Sequence, residues 1–155
     1  MRHEDLTEEA RLRALTACEL WDAPAGPEWA ALAEHARLAL DAPLAGVSLV
    51  GRGTVLWKAL AGGAPAETPR RHAFCHRVVR SGEALAVTDA AAEPVYAGNP
   101  LVARAQGVRA YLGAPVALPG GARIGALAAM WTAPRRFLGH ARALAEALAA
   151  LAGAL

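Results

Sequence analysis

His72, Cys75 and His76 are the first residues whose types and spacing suggest chemistry. Steps of three and four put them on one face of a helix, where a thiolate and imidazoles can form a metal or redox site. Cys18, His3, His35 and His140 are remote in sequence. The plainer reading is a small buried thiol beside Phe74, with one histidine capping backbone carbonyls. Strand geometry suggests a second constellation. Alternate strand residues share a face, so Arg109 and Tyr111 point the same way and Gly113 beyond them leaves room, as in a pocket wall. On that reading Arg109 contacts an anionic or carbonyl-bearing ligand, and Tyr111, Tyr96 and Trp57 pack on its apolar part. Alternatively, Arg109 pairs with Asp89 or caps loop carbonyls and holds the crossover closed. Asp89 either accepts amides of the loop from Ala90 to Pro94 or receives a ligand amine. Asn99, directly before Pro100, caps a helix, and ligand contact is a second role open to it. Arg70, Arg71, Arg77 and Arg80 can attract a phosphate, but their spacing around a helix scatters them over a solvated face. There is no P-loop, dinucleotide fingerprint, HExxH pair or Gly-x-Ser-x-Gly elbow, so no motif announces catalysis.

Positioning these residues requires a particular order of elements. Glu8 and Glu9 suit the first turn of a helix, and Leu12, Leu15 and Glu19 continue it, which predicts a helix near residues 6–20. Asp22 to Gly26 breaks it. Pro27 opens a second helix, with Trp29, Leu32, Ala33, Ala36 and Leu40 on one face, ending near Asp41. Leu44 to Val50 and Thr54 to Leu60 flank Gly51-Arg52-Gly53 and form a hairpin. A loop from Ala61 to Pro69, rich in glycine and proline, leads to a short helix carrying Phe74-Cys75-His76, and Ala84 to Thr88 is a strand. Asp89 to Gly98 is loop, and a short helix starts at Asn99-Pro100. Strands Arg109 to Leu118 and Arg123 to Trp131 meet at Pro119-Gly120-Gly121. Pro115 cannot donate to a ladder, so it marks an edge, bulge or strand end. From about Arg135 the chain is helical. Phe137, Ala141, Leu144, Leu148, Leu151 and Leu155 form a stripe that seats on a sheet or on another helix. The fold class is α+β, an antiparallel sheet with helices packed on it.

Length and composition bound the rest. A chain of 155 residues fits one domain over 1–155 and buries a core without disulfides or a structural metal. Although 55% of it is hydrophobic, charge interrupts every apolar run before the roughly 18 residues a spanning helix needs, so no membrane association is expected. Met1 to Asp5 leads into an acidic helical pattern with neither an apolar stretch nor a cleavage site, which predicts a cytoplasmic protein. Cys18 and Cys75 lack framework or metal spacing and are expected to be reduced thiols. A net charge of +2, spread along the chain, offers no basic face for nucleic acid.

The fragments Phe74-Cys75-His76, Val87-Thr88-Asp89, Pro94-Val95-Tyr96, Asn99-Pro100-Leu101-Val102 and Arg109-Ala110-Tyr111-Leu112-Gly113-Ala114-Pro115 occur in that order. They resemble one branch of the GAF domain family, common in bacterial sensor proteins. Ser48-Leu49-Val50, Trp57-Lys58, Gly125-Ala126-Leu127 and Pro134-Arg135 fit the same order. Gly51 and Thr132 depart from it, standing where that branch often carries acids. The resemblance implies a central antiparallel sheet of five to six strands, with the N- and C-terminal helices on one face and crossover loops and short helices on the other. It implies a pocket on the crossover side, with Trp57, Phe74, Cys75, His76, Asp89, Tyr96, Asn99, Arg109 and Tyr111 as candidate ligand-binding residues. The implied role is a non-catalytic sensor of a small molecule, with no cofactor or metal, acting through a signalling partner as the input domains of histidine kinases or diguanylate cyclases do. These 155 residues contain no such output domain. Pairing with a second copy through the terminal helices is expected. Chromophore-bearing relatives attach bilin at a cysteine followed by histidine, but Phe74 and Arg77 belong to the other branch. Free-methionine sulfoxide reduction, the enzymatic precedent in this fold, uses several cysteines around the pocket, and only Cys75 is placed for it. A third reading is a scaffold whose pocket is filled by its own side chains.

Overall fold

A computed structural model describes residues 3–63 and 67–155. Two helices, α1 (His3–Ala17) and α2 (Pro27–Ala39), precede a hairpin of β1 (Leu44–Val50) and β2 (Thr54–Ala61). A short strand β3 (Glu67–Pro69) follows, then α3 (Phe74–Ser81), β4 (Leu85–Val87), and the one-turn helices α4 (Pro94–Ala97) and α5 (Pro100–Ala103). The second hairpin, β5 (Ala110–Ala117) with β6 (Arg123–Trp131), and α6 (Gly139–Ala154) close the chain. The strands form one six-stranded sheet in the order β3-β2-β1-β6-β5-β4, antiparallel at each pairing.

Both hairpins fall where the turn chemistry put them. Three differences from the sequence expectation have local causes. Within the expected loop Ala61 to Pro69, Glu67 to Pro69 pair with Thr54 to Leu56 as an edge strand, too short to show periodicity. The middle of that loop, Ala64 to Ala66, lies outside the described residues. Inside the expected loop Asp89 to Gly98, Pro94 starts a single turn, its missing amide proton being no loss at a helix start. The last helix begins at Gly139 rather than near Arg135: residues 132–138 are neither helix nor strand, and the Arg135 backbone N–H is tied to the Thr88 carbonyl at 2.9 Å. Pro115 pairs with Ala126 beyond the last β4 pair, Leu85 with Gly113, and the ladder slips just after it, between Val116 and Ala117.

Alternation along the strands sorts the core into two layers. On the helical face, Val47, Leu49, Leu112, Leu127 and Trp131 pack with Trp29 and Ala33 of α2 and Ala145 and Leu148 of α6. On the crossover face, Val50, Val55, Tyr111, Ala126 and Ala128 pack with Phe74, Cys75 and Val78 of α3 and with Tyr96, Val102 and Val108. Leu49, Leu112 and Leu127 are completely buried, and each such side chain contributes about 1.5–3 kcal/mol of hydrophobic stabilisation. Helix α6 lies flush on β5: a Cβ at Gly153 would stand 2.2 Å from the Ala117 carbonyl oxygen, so only glycine fits this crossing.

Polar anchors fix the helical ends. The buried Lys58 donates to the Leu20 carbonyl at 2.5 Å and also to the Ala23 carbonyl, closing the turn between α1 and α2. The buried Arg11 of α1 reaches the Val50 carbonyl at 2.7 Å and the Arg123 carbonyl at 3.3 Å, where β1 ends and β6 begins. Among the described residues no helix is long and apolar enough to cross a membrane.

Candidate functional site

The crossover between β4 and β5 folds back over the sheet and brings most of the candidate residues together. Helix α3 supplies the wall. It turns Phe74, Cys75, Val78 and Val79 inward. It stops at Gly82, whose φ of 74° is left-handed. Arg123 caps it, donating to the Val79 carbonyl at 2.8 Å. Tyr111 on β5 is 1% exposed. Phe74 stacks on it with ring centroids 4.9 Å apart, and the Tyr96 ring lies 4.7 Å on from Phe74. Trp57, half-buried on β2, packs against the same layer.

The room expected beyond Gly113 is taken. A Cβ there would meet the Tyr111 hydroxyl at 2.3 Å, so this glycine makes space for the neighbouring phenol rather than for a ligand. The hydroxyl in turn sits 3.2 Å from the Cys75 thiol. Burial pushes both groups' pKa up, that of the phenol well above its usual range, with the neighbouring thiol adding to the effect. For the thiol, hydrogen bonding with Ser48 and Tyr111 pulls the other way, against the larger effect of burial. Both groups are therefore neutral near pH 7, and the thiol has little of the thiolate character that nucleophilic or redox chemistry needs.

His72, Cys75 and His76 do not converge. His72 lies in the 3₁₀ turn Arg70–His72 before α3, and its carbonyl accepts the Asn99 side-chain amide at 2.8 Å. The Nδ1 of His76 accepts from Arg70 Nε at 2.8 Å, and burial followed by the Arg70 charge holds the imidazole below its ordinary pKa. Among the described residues no group of three or more His, Cys, Asp or Glu is gathered as a metal site. Cys18 donates to the Leu15 carbonyl and packs on the helical face, across the sheet from Cys75.

Charge enters at the rim. Arg109 grips Asp89 through two bonds, Nε to Oδ1 at 2.9 Å and Nη2 to Oδ2 at 3.0 Å, with the side chains 36% and 29% exposed. The guanidinium is the main reason the Asp89 carboxyl titrates below its usual range. Asp89 also accepts the Ala91 amide at 3.2 Å and so caps the 3₁₀ turn Ala90–Ala92. Asn99 accepts the Leu101 amide at 2.9 Å as the cap of α5. Arg77 donates to the Tyr96 hydroxyl at 2.8 Å and lies over that ring at 5.6 Å.

Beside this region runs a network that no motif announced. Glu8 of α1 accepts from Arg11 Nε and Nη2, both at 2.9 Å, and from Arg70 Nη1 at 2.5 Å, and Arg70 also reaches the Gly51 carbonyl at 3.0 Å. The Arg11 hydrogen bond is the largest cause that holds Glu8 at a pKa of about 2; burial opposes it and Arg70 adds to it. Glu8 and Arg11 stand at the i,i+3 spacing that allows one half of this network. The other half, Arg70 with His76, lies some sixty residues away and left no mark in the local pattern. The described cavities lie elsewhere: one of about 620 Å³ between α6 and the β4–β5 edge, lined by Glu83, Pro115 and Arg142 among others, and one of about 100 Å³ beside Trp131 and Phe137.

The family model for the GAF domain matches residues 13–155. This chain belongs to the GAF domain family. The GAF domain of a phosphoenolpyruvate-protein phosphotransferase from Acinetobacter superposes with a TM-score of 0.69 at 15% identity, over 99% of this chain and 93% of that one. The type II free methionine-R-sulfoxide reductase of Thermoplasma acidophilum superposes with a TM-score of 0.65 at 14% identity, over 96% and 93%. At such identities these likenesses concern the fold. In sequence, a cyclic di-GMP phosphodiesterase from Pseudomonas aeruginosa is 31% identical over 93 residues, which are 60% of this chain and 16% of that protein.

Proposed function

We propose that this chain is a sensory, non-catalytic GAF domain that works in the cytoplasm, binds a small molecule at its crossover face, and passes the binding state to a signalling partner. One observation carries the reading: the Asp89–Arg109 pair is half-exposed, and Ala90 and Val108, the residues next to it in the chain, belong to the same buried layer as Tyr111, Phe74 and Tyr96. A guanidinium fork beside apolar rings suits a ligand with a carboxylate or phosphate on a hydrophobic body. The non-catalytic part rests on the neutral, buried Cys75 thiol and on Cys18 lying across the sheet from it. A cysteine-dependent reductase would need a reachable thiolate and a resolving partner.

A second reading has its own observation. Phe74 stacked on Tyr111, with the Tyr111 hydroxyl over Gly113, fills the inner half of the layer with the chain's own side chains, as in a ligand-free dimerisation scaffold. A thermal-shift screen of small carboxylates and phosphates separates the two. For a sensor, a ligand at a hundred times its Kd adds about 2.7 kcal/mol, and Arg109→Gln removes that gain. No stabilising ligand, together with a persistent dimer, favours the scaffold. Sulfoxide turnover that is lost in Cys75→Ser would overturn both in favour of a reductase.

A further inference from the structure

The segment that leads out of the sheet to α6 is fastened at the same corner as the Asp89–Arg109 pair. The Arg109 backbone N–H donates to the Trp131 carbonyl at 2.8 Å, and its carbonyl accepts the Ala90 N–H at 2.6 Å. The Thr88 carbonyl, one residue before Asp89, accepts the Arg135 N–H at 2.9 Å. Residues 132–138 form neither helix nor strand, and α6 starts directly after them at Gly139. This strap is also held from its far side. The Trp131 indole donates to the Asp41 carbonyl at 2.9 Å, the Arg135 guanidinium lies 4.9 Å over the indole, and the Phe137 ring packs 5.3 Å from it.

We infer that the Asp89 carboxylate is a built-in occupant of the Arg109 fork, and that strap 132–138 reports to α6 whether that fork is closed on Asp89 or open. The fork presents two parallel donors, both used by Asp89, so an incoming carboxylate or phosphate takes them only by displacing it. Once released, Asp89 no longer ties residues 88–90 to Arg109 through its side chain, and Thr88 is the residue that holds the strap at Arg135. Opening the pair therefore loosens the seat of Arg135 and Trp131. A ligand that prefers the open fork shifts the strap, and with it α6, by its differential affinity. The inference rests on reading Arg109 as the ligand contact, but the coupling itself can be tested without any ligand.

Asp89→Asn is the informative variant, because its Oδ1 can still cap the Ala90–Ala92 turn, whereas the charge is lost and an Nδ2 donor facing Arg109 Nη2 breaks the two-pronged pair. Arg109→Met opens the pair from the other side. In the full chain, amide exchange followed by NMR is expected to accelerate about tenfold or more at Arg135 in both variants, with β1 amides unchanged. The Trp131 indole resonance, assigned with Trp131→Phe, shifts in the same direction in both. Arg123→Met, which uncaps α3, is the control for general loosening and leaves both signals in place. The inference is overturned if Asp89→Asn changes only the Ala91 and Ala92 amides, or changes nothing, or if Arg123→Met moves Arg135 and Trp131 as far. A ligand screen that finds nothing would count against the sensor reading while leaving this coupling measurable.

Discussion

Gly113 shows how one residue decides what the crossover face can hold. Strand propensity favours alanine over glycine, yet here the missing Cβ admits the Tyr111 hydroxyl, which then meets Cys75. Gly113→Ala puts a methyl 2.3 Å from that hydroxyl and 2.7 Å from the ring carbon bearing it, inside a layer where Tyr111 is 1% exposed. To make room, the buried phenol has to press on Phe74, which stacks on it, and on the Cys75 thiol. The substitution is expected to cost about 1–3 kcal/mol, as overpacking does. In a Tyr111→Leu background, which removes the ring end, the same substitution should cost at least about 1 kcal/mol less. Urea unfolding of the four proteins completes the cycle, and additive costs would mean that the hydroxyl is not what fills the space.

At the scale of elements, charge fastens α1 to the rest of the fold. Among its described side chains Leu15 and Arg11 are buried, and Glu8 ties Arg11 to Arg70. Glu9 and Arg52 add an exposed pair at 2.8 Å. Glu8 has a folded pKa of about 2 against an ordinary 4.5. A depressed carboxylate pKa stabilises the fold above the ordinary value, and the contribution is lost as pH falls through the folded one. The window therefore runs from about 4.5 down to about 2. Glu8→Gln should cost on the order of 2–3 kcal/mol near neutral pH, because it leaves the buried Arg11 without its countercharge. It should also flatten the acid limb of stability in that window, which a urea series in pH measures; an unchanged acid limb would assign the limb to other carboxylates. His76 acts in the same sense at higher pH. Its depressed pKa means that stability declines as pH falls below its ordinary 6.5. The elements were legible wherever their ends carried turn chemistry, as at Gly51 to Gly53, Pro119 to Gly121 and Asn99-Pro100. The anchors were not: Arg11 and Lys58 bond backbone carbonyls that lie 39 and 35 or more residues away, and a carbonyl has no side-chain signature.

For the whole molecule, the sequence showed some of the residues that meet but not how tightly they fill the space between them. Asp89 and Arg109, and Asn99 with its helix, sit as one of the readings of their types and spacing had them, since cap and ion-pair chemistry is local to a few atoms. Whether Tyr111 bounds a pocket or plugs one depends on the packing of Phe74 across the layer, which no spacing encodes. The C-terminal stripe divides in the same way. Ala141 and Leu144 are half-buried and Leu148 is buried against the sheet, whereas Leu151 and Leu155 are 59% and 56% exposed. Its first turns cover the core, and its end offers two leucines to another surface. The proposed pairing of two copies through the terminal helices would bury these leucines from both chains. At about 0.7–1.5 kcal/mol for each of the partly covered side chains from both copies, losing them should weaken a dimer by roughly a hundredfold to ten-thousandfold. Leu151→Glu with Leu155→Glu is thus expected to turn a dimer into a monomer in sedimentation equilibrium while leaving the unfolding midpoint of the monomer nearly unchanged, since neither residue is core. A wild-type chain that remains monomeric at millimolar concentration would refute the pairing and leave the stripe's outer end to a different protein.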